Sequence, residues 1–322
     1  MAGPSNNLPA LSIVVPVYKE AGNIKPFLER MERVLDKLSA HYEIIFCLDP
    51  SPDNTEQMIR QEIQRNHRIK LIIFSRRFGQ PAATMAGILY CKGQACAVID
   101  VDLQDPPELL ETMYRKLQEG YEVVYAKRRT RQGETWIKRL ITHVGYKVIA
   151  KLSEVPIPRN TGDFRMMSRL IVEELRKLHE THGFLRGLVS YIGFPQAAIE
   201  YDRDERLTGK GNYNRLTGSL KIGLNGIISF SAKPLQLMAI AGALIATFSF
   251  LLGFWYVLQR LIGIDITAGL PTTVLVVTFF SGIQLLSLGL IGEYVSRIYD
   301  EVKRRPMSII HKVVDENHGA DS

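Results

Sequence analysis

Ala97-Val98-Ile99-Asp100-Val101-Asp102-Leu103-Gln104-Asp105-Pro106-Pro107-Glu108 is the stretch on which the reading of this chain turns. A short, uniformly apolar run ending on Asp100 reads as a strand buried on both faces. A helical pattern follows from about Pro107 to Gln118. In open α/β sheets, ligands bind in the crevice at the carboxyl ends of the strands. Two carboxylates one residue apart at that point repel each other, which raises one pKa unless a cation intervenes. Mg2+ or Mn2+ takes oxygen ligands and commonly bridges carboxylates to substrate phosphates. The bland alternative is a pair of turn carboxylates, one capping the next helix. The position after this strand, with Gln104-Asp105-Pro106-Pro107 behind it, favours the cation.

Outward from there the pattern repeats. Ile13–Val17, Tyr42–Leu48, Leu71–Phe74 and Val123–Ala126 read as further strands. Between them, Ile24, Phe27, Leu28, Met31, Val34, Leu35 and Leu38 recur at helical spacing, with Asn23 expected as N-cap and Pro26 in the first turn. A helix through Met58 and Ile63 and a small-residue helix from Gln80 to Tyr90 complete the alternation. Strand and helix in turn, with short connections, predict an α/β domain with a mostly parallel sheet. From Glu134 to Tyr201 the pattern is less regular. A helix is expected over 136–152, a loop from Pro156 to Asp163, and a helix after Ser168.

Hydrophobic residues make up 46% of the 322 and charged residues 23%, but the two are unevenly spread. After Lys233 the chain is dominated by Leu, Ile, Val, Phe and Gly. Residues 234–258 and 270–292 carry no charge. At about 1.5 Å per residue each is long enough for a hydrocarbon core of roughly 30 Å. Lys233 on one flank and Arg297, Lys303, Arg304 and Arg305 on the other predict a cytoplasmic side for both flanks and an outer side for the short loop. Residues 222–230 read as an apolar-faced helix lying near the membrane. The expected organisation is therefore a catalytic domain over 1–201, a juxtamembrane region over 202–233, two spans within 234–292, and a cytoplasmic tail over 293–322.

The formal net charge of +7 fits an anionic leaflet or a phosphate-bearing substrate. No aromatic-interleaved RNA motif or zinc finger supports nucleic acid. Cys47, Cys91 and Cys96 give neither a disulfide framework nor zinc spacing. Nothing over residues 1–9 reads as a signal peptide, so a reducing cytoplasm is expected for the catalytic domain.

The motifs, taken together, resemble the family-2 inverting glycosyltransferases, in particular their polyisoprenyl-phosphate branch of bactoprenol glucosyltransferases and dolichyl-phosphate mannose synthases. They are Val15-Pro16-Val17-Tyr18-Lys19-Glu20, Asp49 with Ser51 and Asp53-Asn54-Thr55, Ser75-Arg76-Arg77-Phe78-Gly79-Gln80, the Asp100 block, Gly162-Asp163-Phe164-Arg165, Phe184-Leu185-Arg186-Gly187, Arg203-x-x-Arg206 and Gly292-Glu293-Tyr294. The resemblance implies a GT-A nucleotide-sugar-binding fold. It implies that Pro16, Tyr18, Glu20 and Asp49 line the base and ribose pocket, and that Asp100, Asp102 and Gln104 hold Mg2+ or Mn2+ and the donor diphosphate. Asp163 would sit at the transferred sugar, either stabilising oxocarbenium charge or fixing a hydroxyl. Arg128 and Arg139 become candidates for the acceptor phosphate, with a solvated helix face as the alternative. Arg206 and Lys210 become candidates for the donor diphosphate or the acceptor. The chain departs from the family's habits at Pro50, where Gly is frequent, and at Lys19 and Arg77, where Asn is common.

The expected function is inverting transfer of a hexose to a polyisoprenyl phosphate for cell-envelope glycosylation, with UDP-glucose as the leading donor. The expected setting is a bacterial plasma membrane, and a homo-oligomer is in keeping with the family. A lipid phosphate is already an anion, with a second pKa near about 6, so it needs little help from a base. A processive polysaccharide synthase would require a channel and a Gln-x-x-Arg-Trp motif, which is missing. A non-catalytic scaffold is disfavoured by the joint presence of Asp100, Asp102, Gln104 and Asp163.

Overall fold

The computed structural model describes residues 8–39, 41–129, 155, 158, 161–178, 184–204, 228, 231–263 and 270–315. Two compact units divide the chain. One comprises residues 1–147, 155–219 and 305–322, the other 148–154 and 220–304.

The first unit is built on an eight-stranded mixed sheet. Its strands are β1 (Leu11–Val17), β2 (Tyr42–Leu48), β3 (Ile69–Phe74), β4 (Ala95–Val98), β5 (Val123–Arg128), β6 (Thr161–Ser168), β7 (Gln196–Tyr201) and β8 (Ile310–Val314). Their order across the sheet is β7-β5-β6-β4-β1-β2-β3-β8. β1, β2, β3 and β4 are parallel, as is β5 to β7, whereas β6 runs antiparallel to both β4 and β5. The helices are α1 (Ala21–Leu38), α2 (Thr55–Arg65), α3 (Gln80–Tyr90), α4 (Leu109–Gln118), α5 (Arg169–Lys177) and α6 (Leu185–Ile192).

Every residue of β1 and β2 is buried, Ser12 and Glu43 included, in strands that are otherwise apolar. Ile13, Ile44, Phe46 and Leu71 pack with Ile24, Phe27 and Met31 of α1 in one core. Burial of a side chain of this size contributes about 1.5–3 kcal/mol, so α1 docks firmly through one stripe. Gly87 of α3 lies so close to the sheet that an added Cβ would sit 2.4 Å from Val14 and 2.6 Å from the Cys47 sulfur. All three cysteines are free and buried.

Several local expectations are corrected. Helix α1 begins at Ala21, with Glu20 in the capping position, so Asn23 lies inside the first turn. There it is buried and donates from Nδ2 to Glu20 Oε2 at 2.5 Å. Pro26 falls beyond the first turn, on an exposed position of the same helix. β4 starts and ends two residues earlier than its apolar run, because Ala95 pairs with Leu11. The expected loop over Pro156–Asp163 gives way to β6 from Thr161 onward. The expected helix over 136–152 and most of that over 222–230 lie outside the described residues.

The second unit contributes α7 (Lys233–Leu261) and α8 (Leu270–Lys303). Within them, Lys233–Gln259 and Thr273–Lys303 are long and apolar enough to cross a membrane, and their apolar windows have no buried residue. Tyr294 Oη, on α8, donates to the carbonyl of Ser231, two residues before α7, at 2.7 Å. Beyond α8 the chain returns to the first unit as β8, antiparallel to β3.

Candidate active site

β4 leaves the ladder at Val98, although the Ile99 N–H still donates to the Val14 carbonyl at 3.1 Å. The antiparallel register with β6 pairs Val98 with Arg165. Continued two residues further, it sets Asp100 opposite Asp163. Topology thus brings together carboxylates 63 residues apart in sequence, a difference read directly from their numbers. Gln80, at the start of α3, donates from Nε2 to Asp100 Oδ1 at 2.8 Å. Burial, with Asp105, Asp163 and Asp102 close by, pushes the Asp100 carboxyl up to about 8. Asp102 is buried, and its Oδ1 accepts the Gln104 N–H at 3.2 Å. Between them Leu103 adopts a left-handed backbone, φ 57°, with its side chain buried. A buried non-glycine residue in this region carries strain of order 1–3 kcal/mol, which the surrounding packing must sustain.

Asp163 is held differently. Arg186, from α6, donates from Nε to Asp163 Oδ1 at 3.0 Å. Burial opposes its ionisation, but Arg186, Arg165 and Arg128 outweigh that and keep its pKa below the usual range. Arg165 is itself buried, bonded to the Gly162 and Asp163 carbonyls, and its pKa falls to about 10 through desolvation. The two facing carboxylates therefore differ, one crowded by like charge and one held by guanidinium groups.

Asp105 is 1% exposed and gathers three partners. Tyr201, at the end of β7, donates its hydroxyl to Asp105 Oδ1. Arg128 NH2 lies 3.6 Å from the same oxygen, and Arg203 Nε 3.5 Å. Arg203 NH2 also lies 4.0 Å from Asp102. Gly162 makes room here, since a Cβ at that position would stand 2.9 Å from Arg128 NH2.

The remaining predicted residues sit at the carboxyl ends of β1, β2 and β3. Pro16 is buried within β1, paired with Cys47. Tyr18 is half-buried, with the Arg77 guanidinium stacked 4.0 Å from its ring centroid. Lys19 has φ 58°, and its N–H donates to Ser51 Oγ at 2.9 Å. The Glu20 N–H donates to Thr55 Oγ1 and the Ala21 N–H to Asp53, so two loops are knitted edge to edge. Asp49 is 3% exposed, and its two oxygens accept the N–H groups of Phe78 (2.9 Å) and Gly79 (2.8 Å). It fixes the loop leading to Gln80. Arg139, Arg206 and Lys210 lie outside the described residues.

Among the described residues, no three His, Cys, Asp or Glu side chains form a ready-made metal cage. Two carboxylates and an amide, Asp100, Asp102 and Gln104, are a donor set suited to a hard cation that keeps open positions for diphosphate oxygens. The crowding that raises the Asp100 pKa is what such a cation would relieve. The residues therefore fit the group.

A mixed sheet with this strand order, gathering carboxylates at the exit of β4, is of the GT-A kind. The chain belongs to glycosyl transferase family 2, whose family model matches residues 12–176. It is 44% identical over 301 residues to YkcC, an uncharacterised glycosyltransferase of Bacillus subtilis, covering 94% of this chain and 93% of the relative. It is 36% identical over 302 residues to a prophage-derived bactoprenol glucosyl transferase of Shigella flexneri, covering 94% and 97%. Among solved structures, a mannosyltransferase from Pyrobaculum calidifontis in complex with GDP-Man and Mn2+ matches with a TM-score of 0.44 at 16% identity, covering 91% and 88%.

Proposed function

We propose that this enzyme transfers a hexose, with inversion, from a nucleotide sugar to a polyisoprenyl phosphate, with UDP-glucose as the leading donor. The observation that carries the reading is the meeting of Asp100, Asp102 and Asp163 with Arg128 and Arg186 beside the carboxyl end of β4. Two helices able to span a bilayer in the same chain support a lipid acceptor. So does the near full-length match to bactoprenol glucosyl transferase.

On this reading, Pro16, Tyr18, Glu20 and the loop pinned by Asp49 shape the base and ribose pocket. Asp100, Asp102 and Gln104 hold Mg2+ or Mn2+, which when bound neutralises the departing nucleotide diphosphate. Arg128 receives the acceptor phosphate, because its planar fork suits phosphate oxygens. With an anionic acceptor, the protein's task is to align it in line with the leaving group and to stabilise charge. Asp163 stays ionised at the sugar, held in place by Arg186. Both termini and the catalytic unit would face the cytoplasm, and a homo-oligomer would be formed in the membrane.

The test is transfer of radiolabel from a panel of nucleotide sugars to undecaprenyl phosphate in detergent, with Mn2+, Mg2+ or EDTA. A labelled lipid from one donor, lost in EDTA, is expected. Folded protein that labels no lipid from any donor would overturn the reading.

A further inference from the structure

The Arg128 side chain is 33% exposed, and its orientation is set by two neighbours, Asp105 of the Asp100 block and Tyr201, which no motif marked. The Tyr201 hydroxyl accepts from Arg128 Nε at 3.1 Å and donates to Asp105. Asp105 in turn lies 3.6 Å from Arg128 NH2. The three groups close a triangle in which each touches the other two. Tyr201 and Asp105 are 5% and 1% exposed, so neither is free to swing away. Parallel pairing of Arg128 with Tyr201, and the bond from the Arg129 N–H to the Tyr201 carbonyl at 2.9 Å, fix the backbones on both sides. Gly162 leaves the space that the far end of the guanidinium occupies.

Nε and NH2 carry these contacts, while the side chain keeps 33% exposure. A long, flexible side chain loses rotamer freedom when it binds phosphate, and a partner that fixes it beforehand removes that cost from the binding step. Asp105 also supplies the negative charge that balances a half-buried guanidinium while no phosphate is present. We infer that Tyr201 and Asp105 are a positioning pair that aims Arg128 at the acceptor phosphate. This rests on the reading of Arg128 as the acceptor-phosphate residue. Tyr201 acts through Arg128 and touches neither substrate.

The experiment is steady-state kinetics of the full-length enzyme in detergent with undecaprenyl phosphate, on Tyr201→Phe, Arg128→Ala and the double variant. Calorimetric titration with the donor nucleotide in Mn2+ reports whether each variant is folded. Tyr201→Phe keeps the ring and removes both hydrogen bonds. Its KM for lipid phosphate should rise by about tenfold, the scale of a lost hydrogen bond to a charged group, while donor affinity stays within about twofold. The double variant should be no worse than Arg128→Ala, because the tyrosine works only through the arginine. If Arg128→Ala raises the acceptor KM and Tyr201→Phe does not, the positioning pair is wrong and the reading of Arg128 stands. Effects that multiply in the double variant would likewise overturn the pair. If Arg128→Ala leaves the acceptor KM unchanged, the reading of Arg128 fails, and the pair fails with it. Weakened donor binding in Tyr201→Phe would show a general structural role and would also overturn the proposal.

Discussion

Asp100 has carboxylates of Asp102, Asp105 and Asp163 around it, and a pKa pushed up from 3.8 to about 8 by burial and those charges. A group raised in this way keeps in the folded chain a proton that the unfolded chain releases. It therefore favours folding most below the unfolded value, and its contribution is lost as pH rises through the folded one. A divalent cation competes with that proton, so affinity for Mn2+ should climb by about tenfold per pH unit from 6 towards 8 and level off above. Calorimetric titration at several pH values measures this, and Asp100→Asn should both weaken binding and flatten the profile. A wild-type affinity independent of pH would mean that Asp100 is already ionised. Activity of Asp100→Asn or Asp102→Asn should fall by at least about a hundredfold, the scale of removing one electrostatic group from a preorganised site. These residues were legible in sequence because a strand pattern and a carboxylate pair coincide within a few positions. Tyr201 was not. It ends an edge strand of mixed character, and its partner Asp105 is nearly a hundred residues away.

Elements that were hardest to read are those whose pattern is interrupted by the groups they carry. β6 holds Arg165 in the middle of a buried strand, so its apolar run is broken by a guanidinium that sits beside Asp163. β7 is an edge strand with a half-exposed pattern, and β8 is five residues placed after two membrane-length helices. The parallel core strands were readable because burial on both faces leaves mostly apolar choices, and the polar residues they do carry satisfy one another. Glu43, the second residue of β2, is 2% exposed. It accepts from Ser12 Oγ (2.6 Å), Lys70 Nζ (2.6 Å) and the Lys92 N–H (2.8 Å), joining β1, β2 and β3 at their amino ends. Burial works against its charge, and the lysine and the two hydrogen bonds outweigh it, so its pKa is lowered. The stability it provides is present above the unfolded value of 4.5 and is lost as pH falls through the lower folded value. Glu43→Gln leaves Lys70 without its counter-charge and should destabilise the protein by about 3 kcal/mol. The thermal midpoint at neutral pH reads this, and the difference from wild type should shrink at low pH. Donor KM should stay within about twofold, since this network lies at the opposite ends of the strands from the site.

On the scale of the whole molecule, the chain leaves the sheet unit, forms two membrane-length helices, and comes back to add β8 beside β3. An uncovered β3 would present a row of unpaired backbone groups at the edge of an apolar sheet, which invites association with other chains. β8 covers it by antiparallel pairing from Leu71–Val314 to Phe74–Ile310, and the Ser75 N–H reaches the Ile309 carbonyl at 2.9 Å. Ser75 opens the loop that Asp49 pins and that delivers Gln80 to Asp100. The return strand therefore supports the loop that carries Gln80 from a distance along the chain. Removing residues 306–322 should lower the thermal midpoint by several degrees, for a loss of about 2 kcal/mol in a domain of this size. It should also increase aggregation in detergent and weaken donor binding by several-fold. Breaking the pairing by Val314→Pro, which removes the ladder donor opposite Leu71 without shortening the chain, should act in the same direction. A truncated enzyme with unchanged midpoint and donor affinity would show that the first seven strands hold the Ser75–Gln80 loop unaided. The two long apolar helices would then be followed by a strand that shields an edge and nothing more.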